Sequence, residues 1–218
     1  MPEYNVILAG RAGVGKTELF QYIKTGVAPK YDPDETDPDD SRAALTDMGL
    51  ERLEHETEAN GRQIKVNLWD TGGQERYDSM TANYYRHAHA VILVYDLEAE
   101  DTLYHLSDWI KEARKNSRWS DRLVFALWGN KSDSKNLTAR DEAILAFMTT
   151  HSINMDLSAR VSTHTEGSVE KAFQTLIEVV DKKFNQVGIE ETGRDVSRLL
   201  LSMDELDNDN NRRKCFCF

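Results

Sequence analysis

The chain is predicted to form an α/β fold: a mixed, mostly parallel six-stranded sheet with one antiparallel edge strand and helices on both faces. Three observations predict it. From residue 1 to about 184, strand-like and helix-like patterns alternate, as they do in successive βαβ units. Two continuous apolar runs, Ala90–Tyr95 and Leu123–Trp128, suit strands covered on both faces. A glycine-rich turn, Gly10-Arg11-Ala12-Gly13-Val14-Gly15-Lys16-Thr17, joins the apolar run Tyr4–Ala9 to the helix-like run Glu18–Lys24.

That turn completes the pattern G-x-x-x-x-G-K-[ST] between a first strand and a first helix, the setting of a P-loop NTPase fold. Its glycines let the backbone wrap an anion with N–H groups pointing inward, and the helix start adds a favourable dipole. Gly10, Ala12, Gly13, Val14, Gly15, Lys16 and Thr17 are therefore candidate phosphate contacts. Lys16 reaches the β- and γ-phosphates, and the Thr17 hydroxyl is placed on Mg²⁺.

Asn60-Gly61 is a hairpin signal. It joins a second strand, roughly Leu50–Glu58, to a third, Gln63–Asp70, in which Ile64, Val66 and Leu68 alternate. The runs at 90–95 and 123–128 are the fourth and fifth strands, and Ile153–Leu157 is a short sixth. Helical spacing fits Thr102–Lys115, Ala139–Thr149 and Ser168–Phe184. In the last of these, Val169, Ala172, Phe173, Leu176, Ile177 and Val180 form one apolar stripe. Residues 185–218 read as a flexible polar tail, and no internal repeat is present.

Composition narrows the partners. A net charge of −11 argues against nucleic-acid binding, which needs a basic face. Asp32, Asp34, Glu35, Asp37, Asp39 and Asp40 concentrate acid between residues 32 and 40. This run reads as a solvated, self-repelling loop, or as a docking strip for a basic partner. No apolar run approaches the roughly 18–20 residues of a membrane span, and none at the start resembles a secretory signal. The only cysteines are Cys215 and Cys217, so the core needs no disulfide, which suits a reducing, cytosolic compartment. The six histidines lack ligand spacing, and Trp109 and Trp119 read as packing residues.

Three further motifs carry chemistry. Asp70-Thr71-Gly72-Gly73-Gln74 stands at the end of the third strand. There Asp70 can hold a water of Mg²⁺, the Gly73 N–H can approach a γ-phosphate, and Gln74 can orient an attacking water. Asn130-Lys131-Ser132-Asp133 ends the fifth strand. A carboxylate at Asp133 accepts two parallel hydrogen bonds from guanine N1–H and its exocyclic amine, donors that adenine lacks. The Lys131 stem can lie along the base plane. After the sixth strand, Ser158-Ala159-Arg160 is a candidate loop whose Ala159 N–H meets guanine O6.

These residues, in this order over residues 4–184, resemble the Ras superfamily of small GTPases. Trp69–Tyr77 and Tyr84–Asp96 are most similar to its Rab branch. The resemblance implies a GTP/GDP switch of membrane traffic that hydrolyses GTP slowly, with Gln74 and Lys16 catalytic and Mg²⁺ as cofactor. It implies an exchange factor, a GTPase-activating protein and effectors as partners. A hydrolysis-deficient, GTP-bound scaffold is the alternative.

Departures from the family are specific. The segment between Lys16 and Asp70 is longer than the family norm, in the first switch loop, whose threonine binds Mg²⁺. Tyr31-Asp32-Pro33 favours Thr36 for that role, whereas strand register counted back from Asn60-Gly61 favours Thr46, which is preferred. The aromatic expected near Ala28 to flank the base is absent; Tyr31 is a substitute, or nucleotide binds more loosely. Arg52 replaces an aromatic of the Rab effector surface, and Arg160 replaces the usual lysine. Cys215 stands fourth from the end, as a prenylation signal requires, with Cys217 a second acceptor and Arg212-Arg213-Lys214 beside them. The expected location is the cytosolic face of a membrane, through a lipid anchor.

Overall fold

The computed structural model describes residues 1–28, 51–71 and 85–185. In chain order these form β1 (Glu3–Ala9), α1 (Lys16–Thr25), β2 (Glu51–Ala59), β3 (Arg62–Asp70), β4 (Ala90–Asp96), α2 (Asp101–Asn116), β5 (Val124–Asn130), α3 (Asp141–His151), β6 (Ser158–Arg160) and α4 (Ser168–Asn185). The sheet order is β2-β3-β1-β4-β5-β6. Among the described residues only the β2–β3 hairpin is antiparallel; every other pair is parallel.

Successive strand residues face opposite sides of a sheet, and here both sides are covered. Val6, Leu8, Ile92 and Val94 face α1 and α4, joining Leu19, Phe20, Phe173, Leu176, Ile177 and Val180 in one core. Ile7, Ala9, Val91 and Leu93 face α2 and α3, joining Leu106, Ile110, Ile144 and Phe147 in the other. Two cores are the reason that β4 and β5 read as unbroken apolar runs rather than as alternation.

Three boundaries differ from the sequence reading. The sixth strand is not Ile153–Leu157: Met155–Leu157 is a single 3₁₀ turn, nucleated by Asn154, whose side chain accepts the Asp156 N–H. The strand itself is Ser158–Arg160, paired with Leu127, Trp128 and Gly129. The helix expected from Ala139 begins at Asp141, because the Thr138 and Ala139 N–H groups both donate to Leu97 O and hold that turn on β4. The fifth strand runs on to Asn130, whose carbonyl accepts the Leu97 N–H.

A buried polar joint fastens α4 to the hairpin. Asp181, fully buried, accepts hydrogen bonds from Tyr4 Oη (2.9 Å), Asn60 Nδ2 (2.8 Å) and Arg62 Nε (3.0 Å). Burial alone would raise its pKa, but these donors outweigh it and keep the carboxylate ionised, below its ordinary value.

Beside that joint, His89 is buried with its ring edge-on to Phe184 (4.8 Å) and Tyr4 (5.5 Å). Its Nδ1 accepts the Asn5 N–H at 2.9 Å, which requires that nitrogen to be unprotonated. Burial, then the nearby His87, push its pKa down from 6.5 to about 4. The folded state therefore prefers neutral imidazole. The stability this confers is complete above about pH 6.5 and is lost as pH falls towards 4. The loss amounts to about 3 kcal/mol. Urea titrations between those pH values should show this fall in the natural chain and a flatter profile in His89→Gln. Equal slopes would rule His89 out as the source.

Candidate functional site

The parallel strands end together at one edge of the sheet, and the sequence motifs collect there. The β1–α1 loop crosses the end of β4 so closely that a Cβ on Gly10 would lie 2.2 Å from Val94 O. At the other end of the loop Gly15 caps α1 with φ 90°. A Cβ there would lie 2.3 Å from Asn130 Nδ2. Asn130 in turn donates to Val14 O at 2.9 Å. One buried side chain at the end of β5 thus ties the phosphate loop to the base motif. Lys16, also buried, donates from Nζ to Gly10 O (2.6 Å) and Arg11 O (3.0 Å), which curls the loop around its own ammonium. On the rim, Arg11 pairs with Asp101 at the start of α2 (3.0 Å). Ala12 and Gly13 form the exposed crest between them.

Thr17 and Asp70, 53 residues apart in sequence, converge: the Thr17 hydroxyl donates to Asp70 Oδ2 at 2.7 Å. A hydroxyl and a carboxylate side by side at the mouth of a phosphate loop are hard oxygen ligands of the kind Mg²⁺ takes. Next to Asp70, Arg52 is laid over the Trp69 ring (5.5 Å from its centroid) and bonded to Asn67 Oδ1 (2.8 Å). The residue that replaces an aromatic in the sequence is thus an ordered cation stacked on one.

On the base side, Lys131 adopts φ 64°, a left-handed conformation that is uncommon outside glycine and often marks a functional turn. Its ammonium pairs with Asp96 Oδ2 at 2.6 Å, with Glu98 at 3.8 Å. Burial opposes the charge, but the Asp96 hydrogen bond and the surrounding carboxylates prevail, and its pKa is raised. Asp133 is exposed, and its Oδ1 accepts the Ser162 hydroxyl at 2.6 Å.

That last contact corrects the sequence reading. Ser158, Ala159 and Arg160 do not form the loop beside Asp133. They are β6 itself, and they line a cavity of about 280 Å³ between β6 and α4. Arg160 is drawn outward to Asp141. The loop that reaches the base motif begins one residue later. Val161 N–H donates to Gly129 O (2.8 Å), and Ser132 N–H donates to Val161 O (3.1 Å). The Ser162 hydroxyl bonds Asp133 while accepting the His164 N–H (3.0 Å). The sequence does not single out Ser162, Thr163 and His164 when read forward, because Ser158-Ala159-Arg160 offers a similar small-residue run directly after the apolar segment; counting back from the stripe that starts at Val169 points to them.

The remaining sequence candidates lie outside the described residues: Tyr31, Thr36, Thr46, Gly73, Gln74, Cys215, Cys217 and the acidic run.

The comparisons with known proteins agree with this geometry. A model of the Ras family matches residues 5–182. The chain is 32% identical over 225 residues to the Ras-related protein YPTC6 of Chlamydomonas reinhardtii, an alignment covering 98% of this chain and 94% of that one. It is 31% identical over 188 residues to the Ras-related protein RIC2 of Oryza sativa subsp. japonica, covering 85% of this chain and 80% of the other. The chain belongs to the Ras family of small GTPases. As such it is a GTP-binding switch of a family that hydrolyses GTP to GDP, generally with Mg²⁺, and answers to regulators.

Proposed function

We propose that the chain is a Rab-like switch of membrane traffic that hydrolyses GTP slowly on its own. The observation that carries the reading is the Asn130–Val14 hydrogen bond, which makes the phosphate cradle and the base motif a single pocket. In this reading Lys16 and the N–H groups of residues 10–17 hold the phosphates, and Gln74 orients water for in-line attack. Thr17, Asp70 and the switch threonine Thr46 would hold Mg²⁺, which when bound neutralises charge on the phosphate oxygens. Gly73 senses the γ-phosphate, and partners read the order this imposes on its loop. Asp133 reads guanine, the Lys131 stem lies along the base, and the Thr163 N–H takes the role first assigned to Ala159. Prenylation at Cys215, with Cys217 and the basic triplet Arg212–Lys214, places the switch on the cytosolic face of a membrane.

Single-turnover hydrolysis tests the enzymatic half. Gln74→Leu should slow GTP cleavage at least tenfold, the scale of losing a positioned water. Equal rates in both proteins would point instead to a GTP-bound scaffold. A second expectation comes from Ser162. Its hydroxyl holds one Asp133 oxygen, so Ser162→Ala should weaken GDP binding roughly tenfold, the worth of a charge-assisted hydrogen bond of about 1.5 kcal/mol. Displacement of a fluorescent GDP analogue measures it; unchanged affinity would leave Ser162 merely structural.

A further inference from the structure

The cavity of about 280 Å³ between β6 and α4 plays no part in the nucleotide pocket. Its floor is apolar: Trp128, Leu157 and Ala172 are buried, and Ala159 packs on the same core. A cavity of about 150 Å³ holds a benzene ring, so this one has room for two aliphatic side chains. It lies along an open strand edge. Among the described residues β6 is the last strand of the sheet, and the Val161 N–H turns inward to Gly129 O (2.8 Å). Main-chain groups of neighbouring strand residues point to opposite sides, so those of Arg160 face outward, where a further extended segment would pair.

The rim is polar, and its charges are sorted. β6 runs towards Ser162, whose carbonyl accepts the hydroxyl of Ser168 at the start of α4 (2.9 Å). Arg160, Ser168 and Lys171 therefore stand at the end of the cavity nearer the base motif, and Asp156 and Thr175 at the other. Arg160, Lys171 and Asp156 are exposed. Arg160 leans on Asp141 (2.5 Å), and among the described residues no carboxylate pairs with Lys171. The groove is thus positive at one end, negative at the other and apolar between.

The chain beyond α4 supplies a match. Residues 186–218 are mostly polar, but 196–206 read Val-Ser-Arg-Leu-Leu-Leu-Ser-Met-Asp-Glu-Leu: a cation, an apolar run, then two acids. The segment is within reach. Thr175 is followed by ten residues of α4, about 15 Å of helix. The eleven residues from Asn185 to Val196 can span up to about 36 Å. We propose that residues 196–205 of this chain's own tail lie along the groove between β6 and α4. Leu199 and Leu201 fill the cavity, Arg198 meets Asp156, and Asp204-Glu205 meet Lys171 and Arg160. A segment returning from the end of α4 comes first to the Asp156 end, so its order of charges agrees with its direction of approach. On the reading that Cys215 carries a lipid, docking leaves only residues 207–214 between the domain and its anchor; the docking itself does not rest on that reading.

The test is hydrogen exchange on the full chain, without lipid modification and with GDP in the nucleotide site. Amides of 196–205 should exchange about tenfold more slowly than those of 186–194 and 207–214. Leu199→Ser/Leu201→Ser should remove that protection. Structure formed within the tail alone would also protect it, so the deciding variant lies on the domain. Lys171→Glu/Thr175→Glu, on the rim of the cavity, should bring 196–205 to within about twofold of its flanks. Lys111→Glu, on α2, should leave the protection as it is. GDP retention checks that each variant folds. Sedimentation velocity, with exchange repeated on dilution, separates the chain's own tail from that of a second copy; a monomer whose protection is independent of dilution is expected. The proposal is overturned if 196–205 exchange as fast as their flanks, if protection survives in the Lys171/Thr175 variant, or if Lys111→Glu loses as much. Protection that disappears on dilution together with a dimer overturns it as well.

Discussion

Asp133→Asn is expected to lower GTP affinity about a thousandfold and to raise affinity for XTP, the analogue with a carbonyl where guanine has its amine. Asp133 stands exposed at the end of β5, with Oδ1 committed to the Ser162 hydroxyl at 2.6 Å. Its other oxygen remains for a base. An amide at this position turns an NH₂ donor towards guanine's own amine donor, so two donors face each other where a hydrogen bond stood. Xanthine presents an acceptor to the same amide, so the mismatch becomes a match. Competition of GTP, XTP and ATP against a fluorescent GDP analogue reads both changes at once. If the variant kept GTP as tightly as before, or if ATP displaced GDP from the natural chain as well as GTP does, Asp133 would not be the residue that reads the base.

Gly15→Ala should abolish GDP retention and destabilise the fold by about 3 kcal/mol. Two effects add. The position has φ 90°, where a side chain is strained. The new Cβ would also fall 2.3 Å from Asn130 Nδ2. That amide cannot simply swing aside, because it donates to Val14 O at 2.9 Å and is 3% exposed. Relief must come from moving the loop away from β5, which separates the phosphate contacts from the base contacts. Thermal melting and the nucleotide content of the purified protein report the two consequences. A variant that copurified with a full complement of GDP would show that the Asn130 tie does not hold the pocket together.

Parts of this architecture are legible one residue at a time. The phosphate loop is a run of eight residues whose backbone needs are local, so Gly10–Thr17 announces itself. The two-faced sheet is legible in Ala90–Tyr95 because a strand with no solvent face leaves no alternation. Alternating Ile64, Val66 and Leu68 behind Asn60-Gly61 likewise mark the one antiparallel pair, which the structure pairs along all of β2 and β3. Strand ends were less legible. The sixth strand is three residues long, and the apolar residues before it, Ile153 and Leu157, are equally suited to a turn packed on α3 and α4.

By itself, then, the amino-acid order determined the fold class, the family and two candidate motifs for a guanine nucleotide, because each depends on short-range backbone chemistry. Only the tertiary structure decided which serine stands beside Asp133 and that Asn130 joins loop to base motif. Those pairings link residues 29 and 116 positions apart. They are set by where β5, β6 and α4 meet in space, so no local pattern carries them.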